Sequence, residues 1–538
     1  MLFLGEKAKQ QQVRGLKLGL NDVAHVAIFD GQVLPDERLE LFDGDTQGGG
    51  RFFGGVVGLL RLAGGNGGHE GHGVGVLKFD SRAAGENPQS GKLLRTQTKS
   101  PCAAWSGVLE RTLRSGGRIH TMAKKTKMRQ DTQVLTEGFD PRLSVGSARP
   151  AVFRSSTYVF STPEAAERAF DVASGRAEAA AGERIELIYS RINHPNAEIF
   201  EDQIVPLETE AQGAVVFNSG MAAIMTALMA NLTPGDAVVY TVPLYGGTQR
   251  LMEDFLPSWG VRTVPVVAGD RVALEAAIRE TKGVKVVFVE SPANPTLVMS
   301  DLRAAAAAGS ELGDGRPLLM VDNTFLGPVF QHPLALGADI VLYSATKYLG
   351  GFSDVIGGVA LARDPALIKV LRGYRILFGN ILPPDECWIL DSRLPTVKLR
   401  MNRQSKNAQR IAEGLDGNPA LTRVYYPTLF TDPEQQRIFQ AQCDFPGGMV
   451  SIELAGGKAA AFEFLRRLKI GRDAVSLGGV ETLVCHPKST THSGLSQEAC
   501  RVAGITEGLV RLSIGIEDWR DLLADFEQAL EDGVVDSK

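Results

Sequence analysis

"ADIVLYSATKYLGGFSDVIGG", Ala338–Gly358, is the stretch from which the rest of the chain can be read. Its apolar run Ile340–Leu342 has the length of a buried strand and stops at Tyr-Ser-Ala-Thr-Lys, after which glycines break any regular period. Lys347 therefore stands just past the tip of a buried strand, between hydroxyl-bearing neighbours and a glycine loop. A lysine after a strand is ordinarily a solvated surface group, so its meaning depends on what else shares that edge.

From Met122 onward, short β-rich runs alternate with helical ones. "GAVVF", "DAVVYTV", "RTVPVV", "VKVVFVE", "PLLMVD" and "DIVLYS" are separated by segments such as "MAAIMTALMANL" and "VALEAAIRETKG". This alternation predicts βαβ units and an α/β fold with a mostly parallel sheet. Strands apolar on both faces predict helices flanking the sheet on both sides. Ligands in such folds lie at the carboxyl ends of the strands. After about residue 385 the order changes to a long helical run, "RLPTVKLRMNRQSKNAQRIAEGL", then strands "GGMVSIELAG" and "GLVRLSIGIE", then a closing helix. The expected organisation is an N-terminal arm (122–190), an α/β domain (191–385) and a smaller α+β C-terminal domain (386–538).

The polar residues at those strand ends share one chemical use. "VVFNSGMAA" gives Ser219, Gly220 and Met221 at the start of a helix; "FVESPANP" gives Glu290 and Asn294; "LLMVDNTF" gives Asp322; "VLYSATK" gives Ser344, Thr346 and Lys347. Taken singly, the aspartate reads as a helix cap and the Ser-Gly as a turn. Taken together on one sheet edge, they suit pyridoxal phosphate. The Lys347 amine can form a Schiff base with an aldehyde cofactor. Asp322 can keep the pyridine nitrogen protonated. The amides of Gly220 and Met221, with the hydroxyls of Ser344 and Thr346, can hold the phosphate. The glycines after Lys347 are expected to leave room and mobility there.

The totals exclude other classes. The chain has 538 residues with a net charge of -5, and offers no basic excess for binding nucleic acid. No apolar run approaches the roughly 20 residues of a membrane span, and "MLFLGEKAKQQQ" is too short a run for a secretory signal. The five cysteines are scattered with no CxxC pair, which points to a reducing cytoplasm and to no metal site. More than a third of the 60 glycines precede residue 122, where no motif appears and where His69 and His72 have no cysteine or acidic cluster beside them. Residues 1–121 are expected to be a disordered extension, or to result from an early start codon ahead of "MAKKTKMRQDTQ". "GGNGG" follows no strand and opens no helix, so it is no phosphate loop.

"YSATKYLGG", "VDNTF", "ESPANP", "NSGMAA", "LYGGT", "YSR" and "SLGGVETLVCHPKSTTH" together resemble the Cys/Met-metabolism pyridoxal-phosphate enzymes. This transsulfuration family includes cystathionine γ-synthase, cystathionine γ-lyase, methionine γ-lyase and the O-acylhomoserine sulfhydrylases. The resemblance runs from about residue 130 to the C-terminus. It implies an aspartate-aminotransferase-like, type I fold. It also implies Lys347 as the Schiff-base lysine and proton shuttle, Asp322 as the pyridinium partner and Asn294 as support at the ring's 3'-oxygen. Tyr245 then stacks on the ring as acid/base, and Arg511, with Ser476, grips the substrate α-carboxylate, a task suited to a guanidinium fork. Tyr189 and Arg191 match residues that reach the neighbouring subunit's phosphate. A homotetramer, a dimer of dimers with shared sites, follows from the resemblance. Cys485-His486 falls in a loop the family uses as an active-site wall, with no metal.

Two departures stand out: His194 and Asn196 occupy the asparagine and threonine slots of the usual pattern after "YSR", and Gly247 stands where methionine γ-lyases have a cysteine. Ile188 and Val475 are apolar where cystathionine-handling relatives often carry an acid. Missing polar partners discriminate against polar ligands, so the expected activity is γ-elimination or γ-replacement of a methionine γ-lyase-like or sulfhydrylase-like kind. Cystathionine γ-synthase or γ-lyase is the alternative, and a non-catalytic scaffold of the same fold the remote one.

Overall fold

The computed structural model describes residues 128–180 and 182–531, together with two-residue strands at Ile28–Phe29 and Gln32–Val33. The chain divides into two units, Met1–Gly116 and Gly117–Lys538. In the first, the described residues are those two strands, paired antiparallel. The expectation for residues 1–121 otherwise lies outside the described residues, as do His69, His72 and Cys102.

The second unit is built on a seven-stranded sheet: β1 (Gly213–Phe217), β2 (Ala237–Val242), β3 (Arg262–Val267), β4 (Val284–Glu290), β5 (Leu318–Asp322), β6 (Ile340–Ser344) and β7 (Gly358–Ala362). Their order across the sheet is β1-β7-β6-β5-β4-β2-β3. The pairs β2·β3, β2·β4, β4·β5 and β5·β6 are parallel. Alternate residues feed two separate cores, as a period of two requires. On β4, Val287 and Val289 face one core while Val286 and Phe288 face the other. Val321 of β5 sits with the first pair and Met320 with the second.

Strand β7 was not expected. It runs antiparallel to both β1 and β6, and its five residues, "GVALA", are adjoined by glycines that read as loop. Those glycines provide close approach rather than the expected mobility. A Cβ on Gly358 would lie 2.1 Å from the Ser219 carbonyl oxygen, and one on Gly350 would lie 2.7 Å from Val355. Both glycines are buried.

A five-stranded sheet follows: β8 (Leu421–Tyr425), β9 (Met449–Leu454), β10 (Arg472–Asp473), β11 (Leu483–Cys485) and β12 (Leu509–Ser513), in the order β8-β9-β12-β11-β10. The two expected strands, β9 and β12, pair antiparallel at its centre. The three that were missed are two to five residues long, and β8 and β10 carry exposed polar side chains. The long helix spans Pro384–Leu415, nine residues earlier than the sequence reading begins it. Its first part (Cys387, Leu390, Leu394, Val397, Met401) packs into a core of the larger sheet, and its last part (Ala408, Ile411, Leu415) into the core of the smaller one. The architecture is α/β, a mostly parallel sheet flanked by helices with a smaller α+β layer. Among the described residues, no helix is long and apolar enough to cross a membrane.

Candidate active site

A cavity of ≈ 620 Å³ opens at the carboxyl ends of β4, β5 and β6, where segments preceding β11 and β12 fold over the sheet. Gly220, Met221, Tyr245, Asn294, Asp322, Ser344, Thr346, Lys347, Ser476 and Arg511 all line it. The sequence reading placed these residues together, and the fold does so.

Lys347 lies one turn past β6, its N–H bonded to the Ser344 carbonyl at 3.1 Å. Its Nζ donates to Ser476 Oγ at 2.9 Å. Burial and the nearby Arg511 charge pull its pKa down to about 8, against the opposing pull of Asp322. Both effects disfavour the ammonium form, so much of the amine is neutral at mildly alkaline pH. Ser476 holds its position at φ +96°, a left-handed conformation that costs a non-glycine residue roughly 1–3 kcal/mol and gathers at functional sites.

Asp322 ends β5 and is held by Thr324: its Oδ1 accepts the Thr324 N–H at 3.0 Å and the Thr324 hydroxyl at 2.6 Å. The same hydroxyl accepts the Ser344 N–H at 2.9 Å, tying Asp322 to the strand that carries Lys347. Glu290 lies opposite Asp322 in register. Burial raises the pKa of both carboxyls, and Asp322 raises that of Glu290 further.

The helix Gly220–Met229 presents its N-terminus to the cavity, with Ser219 as N-cap accepting the Ala222 N–H at 3.1 Å. A Cβ on Gly220 would lie 2.9 Å from Ser344 Cβ, so a glycine is what lets the helix end approach β6. Thr346 is bonded to the Gly357 backbone, its hydroxyl donating to the carbonyl at 3.2 Å and accepting the N–H at 3.1 Å. Amides at a helix end beside the Ser344 hydroxyl form an anion cradle, which Thr346 joins as a donor when its hydroxyl turns from the Gly357 carbonyl. With an amine at Lys347 and a buried carboxyl at Asp322, this donor set fits a phosphate-bearing pyridoxal.

Arg511, on β12, is buried. Its Nη1 donates to Asn294 Oδ1 at 3.0 Å and its Nη2 to the Ser476 carbonyl at 2.9 Å. Its Nε is buried and bonds nothing among the described residues, leaving donor capacity for a carboxylate.

Other residues lie elsewhere. Tyr189 and Arg191 sit outside this cavity and are exposed; the Arg191 guanidinium lies over the Tyr189 ring, 5.6 Å from its centroid, and donates to the Ile376 carbonyl at 3.0 Å. Ile188 lines a separate groove, while Val475 does border the cavity. His194 and Asn196 prove to be internal ties. His194 caps the helix Pro195–Ile204 and its Nε2 lies 2.9 Å from the Leu382 carbonyl, the contact of an Nε2–H tautomer. Asn196 bonds the backbone of Ala151 and Phe153. His486 bonds Ser489 and the Glu507 carbonyl and does not line the cavity; Thr490 and Thr491 of the same loop do. Thr324 was missed although it lies within "VDNTF"; its signal is a hydroxyl two residues past a buried carboxylate.

The family model for Cys/Met metabolism PLP-dependent enzymes matches residues 131–531. The L-methionine gamma-lyase of Pseudomonas putida is 38% identical over 401 residues, covering 74% of this chain and 96% of that protein. The cystathionine gamma-lyase of Bacillus subtilis (strain 168) is 41% identical over 351 residues, 65% of this chain and 90% of its own. The crystal structure of cystathionine gamma synthase from Xanthomonas oryzae pv. oryzae in complex with cystathionine superposes with a TM-score of 0.68 at 35% identity, covering 76% of this chain and 99% of that one. By this match the chain belongs to the Cys/Met metabolism PLP-dependent enzymes.

Proposed function

We propose that the chain catalyses γ-elimination or γ-replacement on a sulfur amino acid or an O-acylhomoserine, in the manner of a methionine γ-lyase or a sulfhydrylase. One observation carries the reading: Ser476 holds the Lys347 amine with its hydroxyl and the Arg511 fork with its carbonyl. A carboxylate taken by Arg511 therefore brings an amino acid's Cα to the side of Lys347. Pyridoxal 5'-phosphate, when bound, supplies an aldehyde for amines and a ring that withdraws electrons. Gly220, Met221, Ser344 and Thr346 would hold its phosphate, Asp322 its ring nitrogen and Asn294 its oxygen. Lys347, with a lowered pKa, takes a proton from Cα and returns it elsewhere. Tyr245, which lines the cavity, would face the ring and serve as a second acid/base. Val475 offers the γ-substituent an apolar wall.

Cystathionine γ-synthase or γ-lyase is the second reading, favoured by Gly247. A Cβ there would lie 2.8 Å from the Tyr245 ring and 3.1 Å from Met221 Sδ, so the cysteine of a methionine γ-lyase does not fit this loop as it stands.

Tyr189 and Arg191 would complete the phosphate site of a second copy, in a homotetramer built as a dimer of dimers. The arm before residue 190 supports this, since Val145 and Val159 are both 95% exposed. The four described cysteines are free thiols, which suits the cytoplasm.

The test is the visible spectrum of the purified chain with pyridoxal phosphate, then product analysis with L-methionine, with O-acylhomoserines with and without thiols, and with L-cystathionine. A band absent from Lys347→Ala, and 2-oxobutanoate from methionine alone, would support the lyase; product only with a thiol would support a synthase or sulfhydrylase. No band would leave the non-catalytic scaffold. Mixing Lys347→Ala with Arg191→Ala restores activity only if sites are shared between copies.

A further inference from the structure

Glu290 ends β4 as a buried carboxyl directly across from Asp322. Its two oxygens go to two different segments. Oε2 accepts the N–H of Tyr245 at 2.8 Å, and Oε1 accepts the N–H of Asn294 at 3.0 Å. Asn294 accepts from Arg511, Arg511 donates to the Ser476 carbonyl, and the Ser476 hydroxyl accepts from Lys347. The bonds thus run unbroken from the loop of Tyr245 to Lys347, and Glu290 is the member that joins Tyr245 to Asn294.

Amide capping alone would not call for this residue type. Placing a second carboxyl beside Asp322 is costly in a buried site. Both oxygens of a carboxyl group can accept, whereas glutamine would turn an NH₂ toward one of the two N–H groups. We propose that Glu290 is a positioning residue that fixes Tyr245 and Asn294 in one register, so that the group over the ring and the group at its edge move as a unit. This rests on the cofactor site proposed above.

The test uses Glu290→Gln, Tyr245→Phe and the double variant. Leaving one buried N–H facing an NH₂ should lower kcat about tenfold or more in Glu290→Gln, with KM changed by less than about threefold. Because Glu290 acts through Tyr245, the double variant should fall no further than about threefold below the worse single variant. Hydrogen exchange on the chain without cofactor gives a second readout: the peptides holding Tyr245 and Asn294 should both exchange faster in Glu290→Gln while other peptides are unchanged. Losses that multiply in the double variant, or unchanged exchange, would overturn the proposal. If Glu290→Gln does not fold, the wild-type chain decides: the Tyr245 and Asn294 amides should open at one common rate, and separate rates overturn the clamp. A wild-type chain that forms no visible band defeats the cofactor reading, whereas the exchange result bears on Glu290 alone.

Discussion

Gly358→Ala tests the cradle without touching any group that would bond the cofactor. The added Cβ would lie 2.1 Å from the Ser219 carbonyl oxygen, 2.5 Å from its carbon and 2.8 Å from Gly220 Cα. Ordinary carbon contacts begin near 3.5 Å, so β7 or the Ser219–Gly220 backbone must shift by about 1 Å or more. Overpacking of this kind costs roughly 1–3 kcal/mol. Without cofactor, the helix end can relax outward and part of that strain disappears. With cofactor, the amides of Gly220 and Met221 must return, and the strain is subtracted from binding. Affinity for pyridoxal phosphate should then fall about 5- to 150-fold, read by titrating the cofactor-free chain and following the visible band. The gain in melting temperature on adding cofactor should shrink correspondingly. Gly373→Ala is the control: a Cβ there meets nothing within 4 Å, and the position lies inside a helix, so stability should rise by about 0.5–1 kcal/mol with affinity unchanged. Affinity in Gly358→Ala within about twofold of the wild type would refute the reasoning.

Arg511→Lys replaces a fork that holds Asn294 and Ser476 at once with a single point donor. Steady-state kinetics should show kcat/KM lower by about 30-fold or more, since disrupting a buried charged pairing costs roughly 2–5 kcal/mol. The Lys347 pKa is depressed, so the unfolded chain binds more protons than the native one between about pH 8 and the ordinary lysine range. Stability of the cofactor-free chain should therefore rise with pH across that window, by an increment that Lys347→Met removes; denaturant melts at several pH values measure it. Val475→Glu should raise turnover of cystathionine relative to methionine, and an unchanged ratio would count against the apolar-wall reading.

The sequence was most legible where apolar runs stop abruptly. β5 ends at Asp322 and β6 at Ser344 because a buried strand has no other reason to end on a polar cluster, so the edge could be located before the sheet was known. β7 was illegible because five small and apolar residues that begin at a Gly-Gly pair lack the alternation of a half-exposed strand. The work of Glu290 was hidden for another reason: its partner Tyr245 is 45 residues away, and only the parallel packing of β2 beside β4 brings them together. His194 and Asn196 stood out only as departures from a pattern, because a motif gives position without direction; their side chains are used within the fold.

The helix Pro384–Leu415 constrains how substrates are discriminated. At 1.5 Å per residue, its 32 residues form a rod of about 48 Å embedded in both cores. Pro395, where a helix bends most cheaply, lies between Leu394 and Val397, both packed into the first core, and so falls before the passage between the two cores. From Met401 to Ala408, where the helix passes from one core to the other, the chain holds neither glycine nor proline. A swing of one layer over the other would have to break this rod, so the span between Lys347 and Arg511 is set before any substrate arrives. Selectivity then falls to the rim of the cavity, Val475 and the Thr490–Thr491 turn, which can be exchanged without retuning the frame that holds the reacting groups.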